Sequence, residues 1–236
     1  MSDSLIVNLI NDEMNRLLIS SIVFTIAYMF HRKFSFRDFK KVGVAIYANG
    51  VEDFNNIHNL IGQYSDFIHV DIVDKSMSKN AEEVKAYRLE TMKAYWPKTQ
   101  VQTHIMSKTP SVWLKQIMPY SDVIYVHAEC DENILDIFEE IKSYGKKPGL
   151  AMMLSTNVED KIELLEVSEY VLLLTIANPG KSGQKFDLDG VSSIKKINSL
   201  PFRNQFSLCV DGGVNEDIIK LIEAEYVVSG SSVLKN

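Results

Sequence analysis

Cysteine is scarce in this chain: two residues in 236, Cys130 and Cys209, far apart. No pair has zinc-site spacing and no disulfide framework can be read, so both are expected to be reduced thiols of a cytoplasmic protein. Positive charge is also short. Twenty-five Lys and Arg stand against 31 Asp and Glu, a formal net charge of -6. That balance excludes nucleic acid as the main partner, because a phosphate backbone needs a basic surface. It leaves room for a local pocket that takes one phosphate. A membrane-length apolar run is missing as well. The uncharged segment from Leu17 to Phe30 has 14 residues, whereas a helix needs about 20 to span a bilayer. Asp3, Asp12 and Glu13 precede it and no small-residue cleavage site follows, so a signal peptide is a poor match. Membrane insertion is disfavoured and a buried helix is expected.

What is present is a soluble-protein composition, 46% hydrophobic and 24% charged, with a regular alternation of elements. Strand-like runs are expected at Val44–Ala48, Phe67–Val73, Val101–Met106, Val123–Ala128, Gly149–Leu154, Tyr170–Ile176, Phe206–Val210 and Tyr226–Ser229. Their density of apolar and β-branched residues suits parallel strands covered by helices. Helical patterns fall between them at Val51–Gln63, Glu82–Tyr95, Ser111–Met118, Asn133–Tyr144, Val158–Glu166, Asp187–Asn198 and Glu216–Ala224. The stretch at Asn133–Tyr144 puts Ile134, Ile137, Phe138 and Ile141 on one stripe, with Gly145 as the stop. Eight strands alternating with helices in one chain of this length predict an α/β fold, a closed (β/α)8 TIM barrel. No linker divides residues 42–236, read as the catalytic domain; residues 1–41 are read as an N-terminal helical extension.

Catalytic groups of such barrels sit at the C-terminal strand ends. On the second strand His69 and Asp71 are two apart and share a face, while Ile68, Val70 and Ile72 take the other. His104 ends the third strand and Asp211 follows the seventh. Two imidazoles and two carboxylates at one barrel mouth suit Zn(II), Fe(II), Mn(II) or Co(II). Any one of them alone reads as structural, and so does His127. A second set is glycine-rich: Gly180 and Gly183 beside Gln184, Gly212-Gly213, and Gly230 before Ser231. Glycines let backbone N–H groups approach an anion, and loops after the seventh and eighth strands form the usual phosphate site of this fold.

These residues resemble ribulose-phosphate 3-epimerases. The matches are His69-Val-Asp71-Ile-Val-Asp74, Thr103-His104-Ile-Met106, Val126-His127-Ala-Glu129, Gly149-Leu-Ala151, Asn178-Pro-Gly180 with Gly183-Gln-Lys-Phe186, Val210-Asp-Gly-Gly213 and Val228-Ser-Gly-Ser231, in order over residues 42 to 234. The resemblance implies a ribulose-phosphate-binding barrel with a divalent metal on His69, Asp71, His104 and Asp211. It also implies a phosphate site from Gly180, Gly183, Gln184, Gly212, Gly213, Gly230 and Ser231, with Met106 lining the pocket. The activity implied is epimerisation at C3 of a ketose phosphate, interconverting D-ribulose 5-phosphate and D-xylulose 5-phosphate, with Asp71 and Asp211 as a two-base pair acting through an enediolate.

Departures from the family pattern lie around the reacting carbon. Ala45 stands where the family has serine, and Val73 and Thr175 where it has methionines. Lys75-Ser-Met-Ser-Lys-Asn80 replaces a Gly-x-Phe-Val-Pro-Asn loop, and Gly180-Lys-Ser-Gly183 replaces Gly-Phe-Gly-Gly. They keep two alternatives open: an epimerase of a related ketose phosphate, and a catalytically weak phosphosugar-binding or regulatory barrel. A decarboxylase of the orotidine type would want an Asp-x-Lys-x-x-Asp array, and the third strand offers Gln102-Thr103-His104 instead.

The chain ends at Asn236, seven residues after Ser229, which leaves no room for an eighth C-terminal helix. A helix over roughly Leu5 to Phe30 is therefore expected to replace it over strands 8 and 1, since an uncovered parallel strand exposes apolar surface at about 25 cal/mol per Å². Its remaining apolar face, with Phe24, Tyr28 and Phe30, is expected to bury against a second copy in a homo-oligomer. Deleting residues 1–35 should give an insoluble or unfolded barrel. A soluble, active deletion variant would instead favour a membrane anchor flanked by Arg16 and Arg32-Lys33.

Overall fold

The computed structural model describes residues 40–47, 54–62, 65–79, 87–181 and 183–230. Eight strands, β1 (Lys41–Tyr47), β2 (Phe67–Val73), β3 (Gln100–Met106), β4 (Val123–His127), β5 (Lys147–Met153), β6 (Tyr170–Leu174), β7 (Ser207–Asp211) and β8 (Tyr226–Ser229), pair in parallel in chain order. The barrel closes where β1 pairs with β8, Lys41 opposite Tyr226 and Gly43 opposite Val228. Helices α1 (Phe54–Ile61), α2 (Tyr87–Tyr95), α3 (Ser111–Ile117), α4 (Ile134–Ser143), α5 (Ile162–Glu166) and α6 (Asp189–Asn198) lie between strands. The expected (β/α)8 architecture is therefore found, with the strands within a few residues of their expected bounds.

Local chemistry explains these elements. The Asn133 side chain caps α4 by accepting from the Leu135 N–H at 3.1 Å. The stripe Ile134, Ile137, Phe138 and Ile141 is buried, and Gly145 at φ 70° turns the chain out of the helix. The link between β7 and β8 differs from the helix expected over Glu216–Ala224. It holds only a 3₁₀ turn, Ile218–Leu221, after which Ile222 is extended. The Asn215 carboxamide accepts from the N–H groups of Asp217 and Ile218, both at 3.0 Å, and the short turn already buries Ile219 and Ile222. The chain must then reach Glu225, whose carboxylate takes the Arg203 guanidinium at 2.7 Å and the Leu208 N–H at 2.8 Å. A longer helix would carry it past these partners. The expected extension over residues 1–41, including the Leu5 to Phe30 helix, lies outside the described residues but for the start of β1.

Along each strand, alternate residues point into the barrel. Phe67, Tyr125, Tyr170 and Tyr226 fill its N-terminal half through edge contacts, with ring centroids 5.5 Å apart for Phe67–Tyr226, 6.0 Å for Tyr170–Tyr226 and 6.4 Å for Tyr125–Tyr170. Lysines close this end, Lys41 over Tyr226 and Lys147 over Tyr170. Room for the rings comes from Gly43 and Gly149, where an added Cβ would stand 2.2 Å from Phe67 and 2.4 Å from Tyr125. Gly43→Ala should therefore destabilise the barrel by about 1–3 kcal/mol through overpacking. In denaturant unfolding, the loss from Gly43→Ala combined with Phe67→Leu should be smaller than the sum of the two single losses. Strict additivity would disprove the contact.

Candidate active site

Strand alternation continues upward from the aromatic layer. Above Phe67 on β2 come His69 and then Asp71; β3 brings His104 and β7 ends in Asp211. The register sets Asp71 beside His104 across β2 and β3. One ligand atom from each of His69, Asp71, His104 and Asp211 lies within 4.8 Å of all the others. His69 Nε2 is 3.3 Å from Asp71 Oδ1 and 3.7 Å from Asp211 Oδ2. His104 Nδ1 is 3.2 Å from the same Asp71 oxygen and 3.8 Å from the same Asp211 oxygen. The imidazoles are wholly buried and the two aspartates are 8% exposed, so the cluster opens to solvent on its carboxylate side.

Both ring nitrogens of His69 are buried without a hydrogen bond, since its approach to Asp71 lacks the alignment for one. Leaving such a group unsatisfied is costly. A divalent cation accepting the nitrogen lone pair and the carboxylate oxygens removes that cost, and the donor set of two imidazoles and two carboxylates suits it. The four residues expected as metal ligands are thus brought together in a group that could hold one.

The carboxylates differ in proton affinity. Burial works to raise Asp71, but its close contacts with the two imidazoles, His104 first and then His69, outweigh it and hold the acid well below its usual range. For Asp211 burial acts first and the neighbouring Asp71 charge adds to it, pushing the acid up to about 7. Burial lowers His104, keeping it neutral.

The glycine loops take up the other side of the mouth. Gly212 and Gly213 have φ of 111° and 70°, and an added Cβ on Gly213 would stand 2.1 Å from the Phe186 nitrogen. The loop after β7 is therefore seated directly on the loop after β6. Gly180 and Gly183 also take positive φ, and Gly230 faces Ala45, 3.3 Å from Cβ to Cβ position. Gln184 is tied into its own loop: its amide donates to the carbonyls of Asn178 and Lys181, both at 2.7 Å, and its oxygen accepts from the Asn178 backbone N–H at 3.0 Å. Among the described residues an open cleft lies over this loop, lined by Ala177 and the segment 184–188. Met106 is buried at the end of β3, and Ser231 lies outside the described residues.

Three contacts were missed from the sequence. Thr175 donates to the carbonyl oxygens of Asp211 at 2.8 Å and Gly212 at 2.7 Å, pinning the end of β7. Asp74 binds Ser76 on its own loop together with Ser107 and the Trp113 indole, holding the loops after β2 and β3 together. His127, read as structural, lies with its Nε2 2.8 Å from His104 Nε2. The signals for it were the matched run Val126-His127-Ala-Glu129 and its phase on β4, two residues beyond the inward Tyr125.

The sequence profile of the family described as ribulose-phosphate 3-epimerase matches residues 42–234. Ribulose-phosphate 3-epimerase of Helicobacter pylori strain J99 is 34% identical over 179 residues, 73% of this chain and 81% of that protein. The Rhodobacter capsulatus enzyme of that name is 26% identical over 204 residues, 83% and 86% of the two chains. Among solved structures, the tryptophan synthase α subunit of Campylobacter jejuni has a TM-score of 0.58 at 14% identity, covering 86% of this chain and 90% of its own. Phosphoribosyl anthranilate isomerase from Thermococcus kodakaraensis has 0.53 at 20%, covering 82% and 89%. Both structures share the fold alone.

A pH prediction follows from Asp211. Its folded-state value is raised from 3.8 to about 7, so the folded chain favours the neutral acid. That contribution to stability is full below about pH 4 and is lost as pH rises to about 7. In metal-free protein, the melting temperature of the wild type should fall relative to Asp211→Asn across that window. Parallel curves would show that Asp211 titrates as it does in the unfolded chain.

Proposed function

Because the chain belongs to the ribulose-phosphate 3-epimerase family, we infer that it is an isomerase that interconverts D-ribulose 5-phosphate and D-xylulose 5-phosphate by inverting C3. The observation that carries the reaction is the pair Asp71 and Asp211, two buried carboxylates at one mouth with opposed proton affinities. Epimerisation at a carbon beside a ketone requires one group to take a proton from one face and another to return one to the opposite face. The ionised Asp71 suits the first task and the protonated Asp211 the second; in the reverse direction the roles exchange. Within the cluster each acid faces both histidines, which hold them in place.

His69, Asp71, His104 and Asp211 would hold a divalent cation, with Zn(II), Fe(II), Mn(II) and Co(II) all suited to the donor set. When bound, it supplies Lewis-acid polarisation of the ketone, making the neighbouring C–H more acidic. Gly183, Gly212, Gly213 and Gly230, with Gly180 and Ser231, would offer backbone N–H groups to the substrate phosphate. Gln184 would act by shaping its loop, and Met106 would line the pocket. The acidic balance supports a small-molecule partner over nucleic acid, and a cytoplasmic homo-oligomer completes the reading.

The departures at Ala45, Val73 and Thr175 favour one further reading, a related ketose phosphate as substrate. Thr175 commits its hydroxyl to backbone carbonyls and offers no thioether to the pocket. Proton–deuterium exchange in heavy water, run over several ketose phosphates with each metal, decides between them. Exchange at C3 fastest with D-ribulose 5-phosphate is expected; no exchange with any of them would leave a binding protein. Asp71→Asn and Asp211→Asn should each lower turnover by about 10²–10⁴-fold with metal content measured in every variant. Normal turnover in fully loaded Asp211→Asn would remove that residue from the acid–base pair.

A further inference from the structure

His127 and Glu129 form a hydrogen-bond chain that ends on a ligand of the metal quartet. Glu129 accepts from three donors: the Met153 N–H at 3.0 Å and the Thr156 hydroxyl on Oε1, and His127 Nδ1 at 2.7 Å on Oε2. A carboxylate so surrounded accepts only, so His127 Nδ1 carries a hydrogen. Burial would raise the Glu129 acid, but the His127 bond and its other donors outweigh it and hold it at about 2. The His127 ring is wholly buried, as is that of His104, and the two stack with centroids 4.9 Å apart. An imidazolium in that position would be desolvated, so His127 is neutral and its Nε2 has a free lone pair. Between His127 Nε2 and His104 Nε2, 2.8 Å apart, one nitrogen must donate. It is therefore His104 Nε2 that carries the hydrogen, and His104 Nδ1 is left bare toward Asp71 and Asp211.

We propose that Glu129 and His127 are positioning residues that fix the tautomer of His104, so that its Nδ1 lone pair points into the metal quartet. A metal-bound histidine commonly donates its other N–H directly to a carboxylate or carbonyl; here a second imidazole stands between the ligand and the carboxylate. The arrangement also accounts for the approach of His104 Nδ1 to Asp71 Oδ1 at 3.2 Å. With that nitrogen bare, two acceptors face each other, and the contact becomes favourable when a proton on the carboxyl oxygen or a cation lies between them. The inference rests on reading the quartet as a metal site, but the tautomer itself is independent of any activity.

The test is long-range ¹H–¹⁵N NMR of the imidazoles in the full-length, metal-free chain, with metal affinity measured by chelator competition using Co(II). In the wild type, His104 should show a protonated Nε2 and a bare Nδ1. His127→Leu, which cannot accept, should lose that single tautomer and weaken Co(II) binding by about 10–100-fold. His127→Gln, which returns an acceptor near the Nε2 position, should recover most of the affinity. A merely structural role for His127 would not produce this rescue. A protonated Nδ1 on wild-type His104 would overturn the proposal. So would a folded His127→Leu that binds Co(II) as tightly as the wild type. If the tautomer is as stated while the chain fails to exchange the substrate proton, the positioning role stands and only the assigned reaction falls.

Discussion

Two carboxylates and two imidazoles share a space within which their ligand atoms stand no more than 4.8 Å apart, and the imidazoles have no access to water. Such a group is stable only if something positive, a proton or a cation, lies among the lone pairs. The rest of the barrel is arranged to force the group together. Ile68, Val70 and Ile72 are buried on the outer face of β2, which leaves His69 and Asp71 no direction but inward. Thr175 fastens the carbonyl of Asp211, and His127, stacked against His104, leaves that ring little freedom to turn. The low proton affinity of Asp71 and the high affinity of Asp211 follow from the same crowding, so the asymmetry that the chemistry needs and the strain that a cation relieves have one origin.

Much of this was legible in the sequence, for reasons that can be stated. The strands announced themselves because parallel strands buried on both faces become dense in apolar residues, and β2 carried its polar pair against that background at a spacing only strand geometry makes meaningful. The segment at Glu216–Ala224 misled because its apolar spacing fits a helix and a 3₁₀ turn equally well over so few residues; what decided it was Asn215 and the demand of Glu225 for Arg203, which no periodicity encodes. Gln184 looked like a ligand-binding amide and proved to be tied within its loop. The role of His127 was hidden because it depends on which ring nitrogens meet across β3 and β4, a matter of side-chain orientation rather than residue type.

On the proposed reading, the two ends of the substrate would meet loops of different kinds. At the glycines proposed for the phosphate, backbone contact is the constraint: Gly213 has no space for a side chain against Phe186. Around the carbon that would react, Ala45 and Val73 are small and apolar and make no directed contact. A backbone constraint resists substitution more strongly than a lining residue does, so an anion site can persist while the pocket beside it changes shape.

The aromatic packing under the quartet has a consequence for traffic. Among the described residues, Phe67, Tyr125, Tyr170 and Tyr226 plug the barrel from below, and the cluster meets solvent on its carboxylate side. Among the described residues the site is a well closed below, and on the reading proposed above its entrance would be shared by cation, sugar and water. Whatever sits deepest must enter first, so a cation held by the quartet would have to be in place before the sugar, and a bound sugar would seal it in. Metal loss should then be slowest when the protein is occupied by its substrate, and exchange of the ion belongs to the empty interval between turnovers.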